Sequence, residues 1–282
     1  MKFIFALVVL LLAAYACGFS LDLPEAATPG PVITEPIAVT FPVTDEAHLM
    51  LRFGAGDLTI NPGAAENTLV EGTATYNVED FKPEISIEQD RVLIDQGDYK
   101  FKSVPDLSDL KNEWDLKLGN QPLELTIAAG AYKADYELGG LSLTSLSIKE
   151  GAADTELSFD SPNTVEMSVM RYETGASNVT INGLANANFN TLIFQSGAGD
   201  YTLDFSGELQ RNASVNIETG LSNLTLVIPA DMAAELTLEG ALTNVNVGSD
   251  WSKNGDFYSK EGSSPTLTII IQMSAGNLTI SD

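Results

Sequence analysis

The sequence has one cysteine and one histidine in 282 residues. A lone Cys17 excludes an intramolecular disulfide. A lone His48 leaves a His-rich metal site or a Ser-His-Asp triad only one residue to draw on. Basic residues are also scarce, with 14 Lys and Arg against 39 Asp and Glu and a formal net charge of -25. That balance excludes nucleic acid as a partner, because phosphate binding needs Lys and Arg, and it opposes adsorption to an anionic lipid surface. No apolar run reaches the ~20 residues of a membrane-spanning helix, and no 11-residue stretch shows the period of an amphipathic helix. Apolar residues nevertheless make up 44% of the chain, enough to build a core rather than a disordered tail.

What is there begins with an export signature. Lys2 precedes an apolar run over residues 3–16, the length of a signal-peptide core. The run ends in Ala14-Tyr15-Ala16-Cys17-Gly18, which resembles the lipobox of bacterial lipoproteins, although Tyr15 stands where that motif prefers a small residue. The expectation is a signal peptide over 1–16 and lipid attachment at Cys17. The chain would then be held by that lipid on the outer face of a bacterial membrane or at the cell surface. Residues 17–46 hold Pro24, Pro29, Pro31, Pro36 and Pro42 and read as an extended tether. Residues 36–44 could instead pack as a first strand.

The rest of the chain repeats. Gly54-Ala55-Gly56-Asp57 is followed by alternating apolar and polar residues, and so are Gly151 to Asp154, Gly175 to Asn178, Gly197 to Asp200, Gly220 to Asn223 and Ser274 to Asn277. Successive copies at 151, 175, 197 and 220 lie 24, 22 and 23 residues apart, and Asn244 continues the rhythm. The period is too short for tetratricopeptide, ankyrin or propeller units. Short apolar strips between Gly, Asn and Ser turns read as several strands per repeat. The expected fold is all-β, a right-handed parallel β-helix with coils of about 20–24 residues. The glycine would permit a tight corner or a positive φ. The Asp or Asn would satisfy backbone N–H groups there. Gly54, Asp57, Gly151, Asp154, Gly175, Asn178, Gly197, Asp200, Gly220, Asn223, Asn244 and Asn277 would thus form a structural corner ladder. The expected division is a less regular β segment over 47–120 capping a solenoid over 121–282, with Trp251 to Pro265 interrupting the repeat.

Gly54 to Ile60, Tyr76 to Pro83, Gly183 to Phe189, Gly197 to Leu203 and Phe205 to Leu209 together resemble the bacterial toast-rack and putative-adhesin domains, related to the C-terminal domain of cell-wall stress-response membrane proteins. The resemblance covers roughly residues 47–282. It implies a right-handed β-helix on an exported protein and no catalytic residues.

Candidate chemistry is thin. Asp154 and Asp200, with Asn178, could offer oxygens to Ca²⁺, but such corners ordinarily serve turns. Glu156, Asp160, Glu166, Glu173, Asp204, Glu208 and Glu218 could supply the carboxylate pair of a carbohydrate-active enzyme, yet they read more simply as a solvated acidic face. His48, beside Asp45 and Glu46, reads as a surface residue. Asn178, Asn212, Asn223 and Asn277 begin Asn-x-Ser/Thr triplets, three of them arising from the repeat itself. The expected function is non-enzymatic, without cofactor: a surface or envelope protein that recognises an envelope protein or glycan. The alternatives are an accessory or sensor of envelope stress acting through a membrane partner, and a carbohydrate-active β-helix enzyme. Oligomeric state is not encoded in these features.

Overall fold

The computed structural model describes residues 29–96, 110–240 and 244–282. The expected signal peptide and Cys17 lie outside the described residues, as does most of the polar stretch after Asp95. The strands are β1 (Ile33–Thr40), β2 (Ala47–Pro62), β3 (Thr68–Tyr76), β4 (Glu84–Glu88), β5 (Arg91–Asp95), β6 (Asn112–Leu118), β7 (Leu123–Glu137) and β8 (Leu143–Ser158). They continue as β9 (Met167–Asn182), β10 (Phe189–Asp204), β11 (Ala213–Val227), β12 (Met232–Glu239), β13 (Asn244–Val247), β14 (Ser252–Asn254), β15 (Phe257–Lys260) and β16 (Ser263–Ser281).

Long strands carry the architecture. β2, β7, β8, β9, β10, β11 and β16 stack side by side, parallel and in register, as an open β-solenoid. Each long strand is two strands joined at the Gly corner. In β10, Leu192 and Phe194 are buried before the corner and Tyr201 and Leu203 after it. The odd step from 194 to 201 breaks the two-residue alternation, so the chain turns and a second side of the coil faces inward. A third side is made by return turns that bury Leu138, Leu141, Phe159, Leu184, Phe205 and Ile228.

Equivalent residues stack into continuous apolar rows. One row runs Val92, Leu49, Leu125, Leu146, Met170, Leu192, Val215, Ile269, Leu236, each paired with the next across adjacent strands and each nearly fully buried. Burial contributes about 1.5–3 kcal/mol per large aliphatic side chain, so rows of this kind supply the driving force that no single coil could. The polar side chains drawn inside on the return side are hydrogen-bonded. Asn163 Nδ2 donates to the carbonyls of Leu143 and Val165 at 2.8 Å each, and its Oδ1 accepts from Leu143 N at 2.8 Å. Asn186 and Asn188 serve neighbouring turns in the same way.

Both ends of the stack are built out of chain order. At one end β5 and β6 pair parallel with the two halves of β2, forming a coil outside it. At the other, β12 and β13 pair with the two halves of β16, which inserts between them and β11. Antiparallel strands then cover these outer coils: β4 on β5, β3 on β6, β1 on β3, and the β14–β15 hairpin on β12. The edges left at the ends are short strands, β1, β4, β13 and β14, which limits the ladder offered for intermolecular pairing.

Three expectations are revised. The stretch assigned to the tether divides: part of 36–44 packs as a first strand, the alternative to a tether, within β1 over residues 33–40 paired with β3; the alternating apolar residues there, including buried Ile37 and Val39, outweigh the prolines. The solenoid begins at Ala47, not at 121, because β2 continues the parallel register of β7. The interruption from 251 to 265 is itself structured, containing the β14–β15 hairpin and the start of β16.

Candidate binding groove

The corner is where the repeat places its chemistry. The first glycine of each copy stacks on the one before it. A Cβ on Gly130 would lie 2.3 Å from Gly54 O, on Gly175 2.4 Å from Gly151 O, on Gly197 2.3 Å from Gly175 O, and on Gly220 2.5 Å from Gly197 O. Of the two roles expected of this first glycine, the tight approach is met and the positive φ is not. Close backbone approach excludes a side chain at Gly130, Gly175, Gly197 and Gly220, whereas the last copy carries Ser274 at this place, between the pairs Thr219–Met273 and Leu221–Ala275; positive φ belongs to the third position, as at Gly56 (127°) and Gly276 (130°).

One outward position lies two residues before the first glycine. It brings Lys149, Glu173, Gln195, Glu218, Gln272 and Glu239 into one row across six adjacent coils. Like charges directly opposite each other on neighbouring strands repel. Here Gln separates the glutamates and bonds to them: Gln195 Nε2 donates to Glu218 Oε2 at 3.0 Å, and Gln272 Nε2 to Glu239 Oε2 at 2.7 Å. Lys149 lies 3.6 Å from Glu173 at the far end. With the stacked glycines and Thr174, Ser196, Thr219 and Met273, this row lines an open groove of about 950 Å³ along the corner. The groove carries acidic and amide side chains and is continuous over several coils.

Beneath its Lys149 end lies a buried polar cluster that the sequence reading did not single out. Glu150 is 5% exposed. Its Oε2 accepts from Tyr132 Oη at 2.8 Å and Thr155 Oγ1 at 3.1 Å, and Tyr136 Oη donates to Tyr132 Oη at 3.1 Å. Burial holds the phenols of Tyr132, Tyr136 and Tyr172 well above their ordinary range, so they remain protonated. The signal was present as a Glu in an otherwise inward position of β8, but it reads in sequence as an outward acid beside Lys149.

The predicted corner residues fall on the second side of the solenoid. In spatial order the row runs Asp57, Lys133, Asp154, Asn178, Asp200, Asn223, Asn277, Asn244. Its amides bond along the stack: Asn223 Nδ2 donates to Asp200 Oδ1 at 2.6 Å, and Asn277 Nδ2 to Asn223 Oδ1 at 2.7 Å. Two residues on, a parallel row runs Thr59, Asp135, Glu156, Thr180, Thr202, Thr225, Thr279, Asn246. Asp154 and Asp200 are separated by Asn178 and hence by two strand spacings, about 9.6 Å. Among the described residues no group of three or more His, Cys, Asp or Glu gathers as a metal site would require.

The remaining acids disperse. Glu173 and Glu218 share one wall of the groove with Gln195 between them, rather than facing each other across it as glycoside hydrolysis requires. Glu166 pairs with Arg211 and accepts from Asn190. Asp204 caps Ser206 N at 2.8 Å, and Glu156 lies in the Thr row. His48 has Nε2 3.4 Å from Asp90 and Nδ1 3.3 Å from Glu124.

Among the described residues no helix is long and apolar enough to cross a membrane. The N-terminal domain of toast-rack proteins matches the chain over residues 28–182 and 162–227. No curated protein matches it. Among solved structures, a putative cell adhesion protein from Clostridium sporogenes is 20% identical with a TM-score of 0.52, covering 89% of this chain and 99% of that one, and shares the fold. A putative adhesin from Parabacteroides merdae is 11% identical with a TM-score of 0.37, covering 88% and 96% of the two chains. One from Bacteroides fragilis is 9% identical with a TM-score of 0.36, covering 90% and 99%.

Proposed function

The chain belongs to the toast-rack family, and from that premise we propose that it is a non-enzymatic surface protein that holds a partner along its solenoid, as an adhesin does. The observation that carries this reading is the corner groove, with its alternating Glu and Gln wall shared by six coils. Each coil contributes one similar contact, so a partner is held by many weak interactions added along a rigid support. The acidic wall selects a basic segment of an envelope protein, or a glycan bridged by cations. The cell-adhesion name carried by the similar Clostridium sporogenes protein agrees with this role. Export and a lipid on Cys17 would place the solenoid outside the cell, with residues up to β1 as its connection.

The test is capture. The immobilised full chain is exposed to the solubilised envelope fraction of its own source, at low and high salt, with Ca²⁺ or with EDTA. The expected result is a saturable partner that is lost at high salt and on Glu218→Lys with Glu239→Lys. Loss in EDTA would assign a bridging cation. Capture that survives both the charge reversal and the salt would remove the groove from the reading, and no partner in any condition would leave the solenoid as a spacer.

A further inference from the structure

The second side of the solenoid changes character halfway along its length. In β2, β7 and β8 the two outward rows place charges at five of six positions, all but Thr59. In the next five coils, β9, β10, β11, β16 and β13, the same two rows hold ten residues and one charge, Asp200. The others are Asn and Thr. On a chain of net charge -25 this is a depleted patch, which a neutral polar ligand can cover without desolvating charged groups.

We propose that this Asn–Thr face binds an uncharged polysaccharide. Its groups form a grid of about 4.8 Å between strands and about 6.8 Å along them. Each point of the Thr row from Thr180 to Thr279 offers a hydroxyl and a methyl, which suit the hydroxyls and C–H faces of a sugar. Bonding of Asn277 to Asn223 and of Asn223 to Asp200 holds the amides in place before binding, which lowers the ordering cost. The surrounding acidity repels polyanions, so the polymer is neutral. The two rows lack the Trp, Tyr and Arg anchors on which protein interfaces concentrate their energy, which argues against a protein partner here. This face is separate from the groove, and its binding is distinguished by insensitivity to salt.

The experiment is depletion of the full chain from solution by insoluble cellulose and by chitin, at low and high salt. A saturable loss from solution, unchanged by salt, is expected with at least one polymer. Thr202→Lys with Thr225→Lys is expected to weaken it roughly tenfold or more, because an ammonium would be pressed unpaired against neutral sugar. Thr202→Val with Thr225→Val, which keeps the shape and removes the hydroxyls, is expected to weaken it several-fold. Asn216→Lys, outward on the other side of β11, is expected to bind as the parent does, and thermal melts check that all variants fold. No depletion by either polymer, equal loss in Asn216→Lys, or depletion abolished by salt would overturn the assignment. So would a concentration-dependent dimer that the Lys pair dissolves, since the face would then belong to a second copy.

Discussion

Gly197→Ala is expected to cost about 3–5 kcal/mol, at the upper end of what single substitutions do. The reason is local and rigid. The added Cβ would sit 2.3 Å from the carbonyl oxygen of Gly175, an atom of a neighbouring coil whose strand is held in register on both sides. No side chain can swing away to relieve the overlap, so relief requires two coils to part. Parting them loosens the apolar rows on both sides of the corner, because a solenoid is held together by contacts between neighbours. Gly151→Ala is the graded control: its Cβ would lie 3.0 Å from Gly130 O, and a shift of a few tenths of an ångström accommodates it. Denaturant titration followed by circular dichroism should rank Gly197→Ala as more damaging than Gly220→Ala, at 2.5 Å, and both as far more damaging than Gly151→Ala. Equal losses at 151 and 197 would show that the corner backbone adapts and that the glycine stack is not a steric requirement.

The repeat was legible because each coil writes the same constraints in the same order. Gly-Ala-x-Asp/Asn followed by alternation marks the corner, and the 22- to 24-residue spacing marks the coil; stacking then follows from the need to bury every strip against its equivalent. The threading at the two ends was not legible. Residues 91–95 and 112–118 form one outer coil although a long segment separates them, and β16 enters the stack ahead of β12 and β13. Strand patterns specify which side of a strand is buried but not which neighbour lies beside it, so a chain-order stack was the natural reading. The groove was hidden for a related reason. Lys149, Glu173, Gln195, Glu218, Gln272 and Glu239 are single outward residues more than 20 positions apart for the most part, and only the register of the sheet makes them a row. Glu150 continues the inward alternation of Leu146 and Ile148, so its position was readable from the pattern, but an acid next to Lys149 and the corner glycine reads as part of the solvated face.

Lys260 gives the second large effect. It is 4% exposed, and its Nζ lies 2.8 Å from Asp250, 2.5 Å from Asp282 and 3.1 Å from Ile228 O. It joins the capping hairpin to the end of β16 and to the turn after β11. Burial opposes its charge, but the hydrogen bonds to Asp250 and Asp282, with their charges, outweigh that and hold the ammonium above the usual lysine range. The hydrogen bond from Lys260 likewise holds the Asp250 carboxyl below its usual range. Removing both carboxylate charges by Asp250→Asn and Asp282→Asn leaves a buried ammonium with only neutral oxygens, two side-chain amides and the Ile228 carbonyl, as acceptors, and is expected to cost about 3–5 kcal/mol. Lys260→Met is expected to cost less, because the carboxylates it abandons are partly exposed and water takes over their solvation. The pH dependence has a definite sign. A raised lysine contributes stability that is complete below its unfolded value of about 10.4 and is lost as pH climbs through the higher folded value. A lowered aspartate contributes stability that is complete above about 3.9 and is lost as pH falls through the depressed folded value. The stability difference between the parent chain and Lys260→Met should therefore be level from about pH 4 to about pH 10 and shrink on either side. Urea titrations across that range measure it. A difference that persists unchanged into strong acid, or a double Asn variant no weaker than Lys260→Met, would show that Lys260 packs by its alkyl stem alone and that its ion pairs do not hold the cap in place.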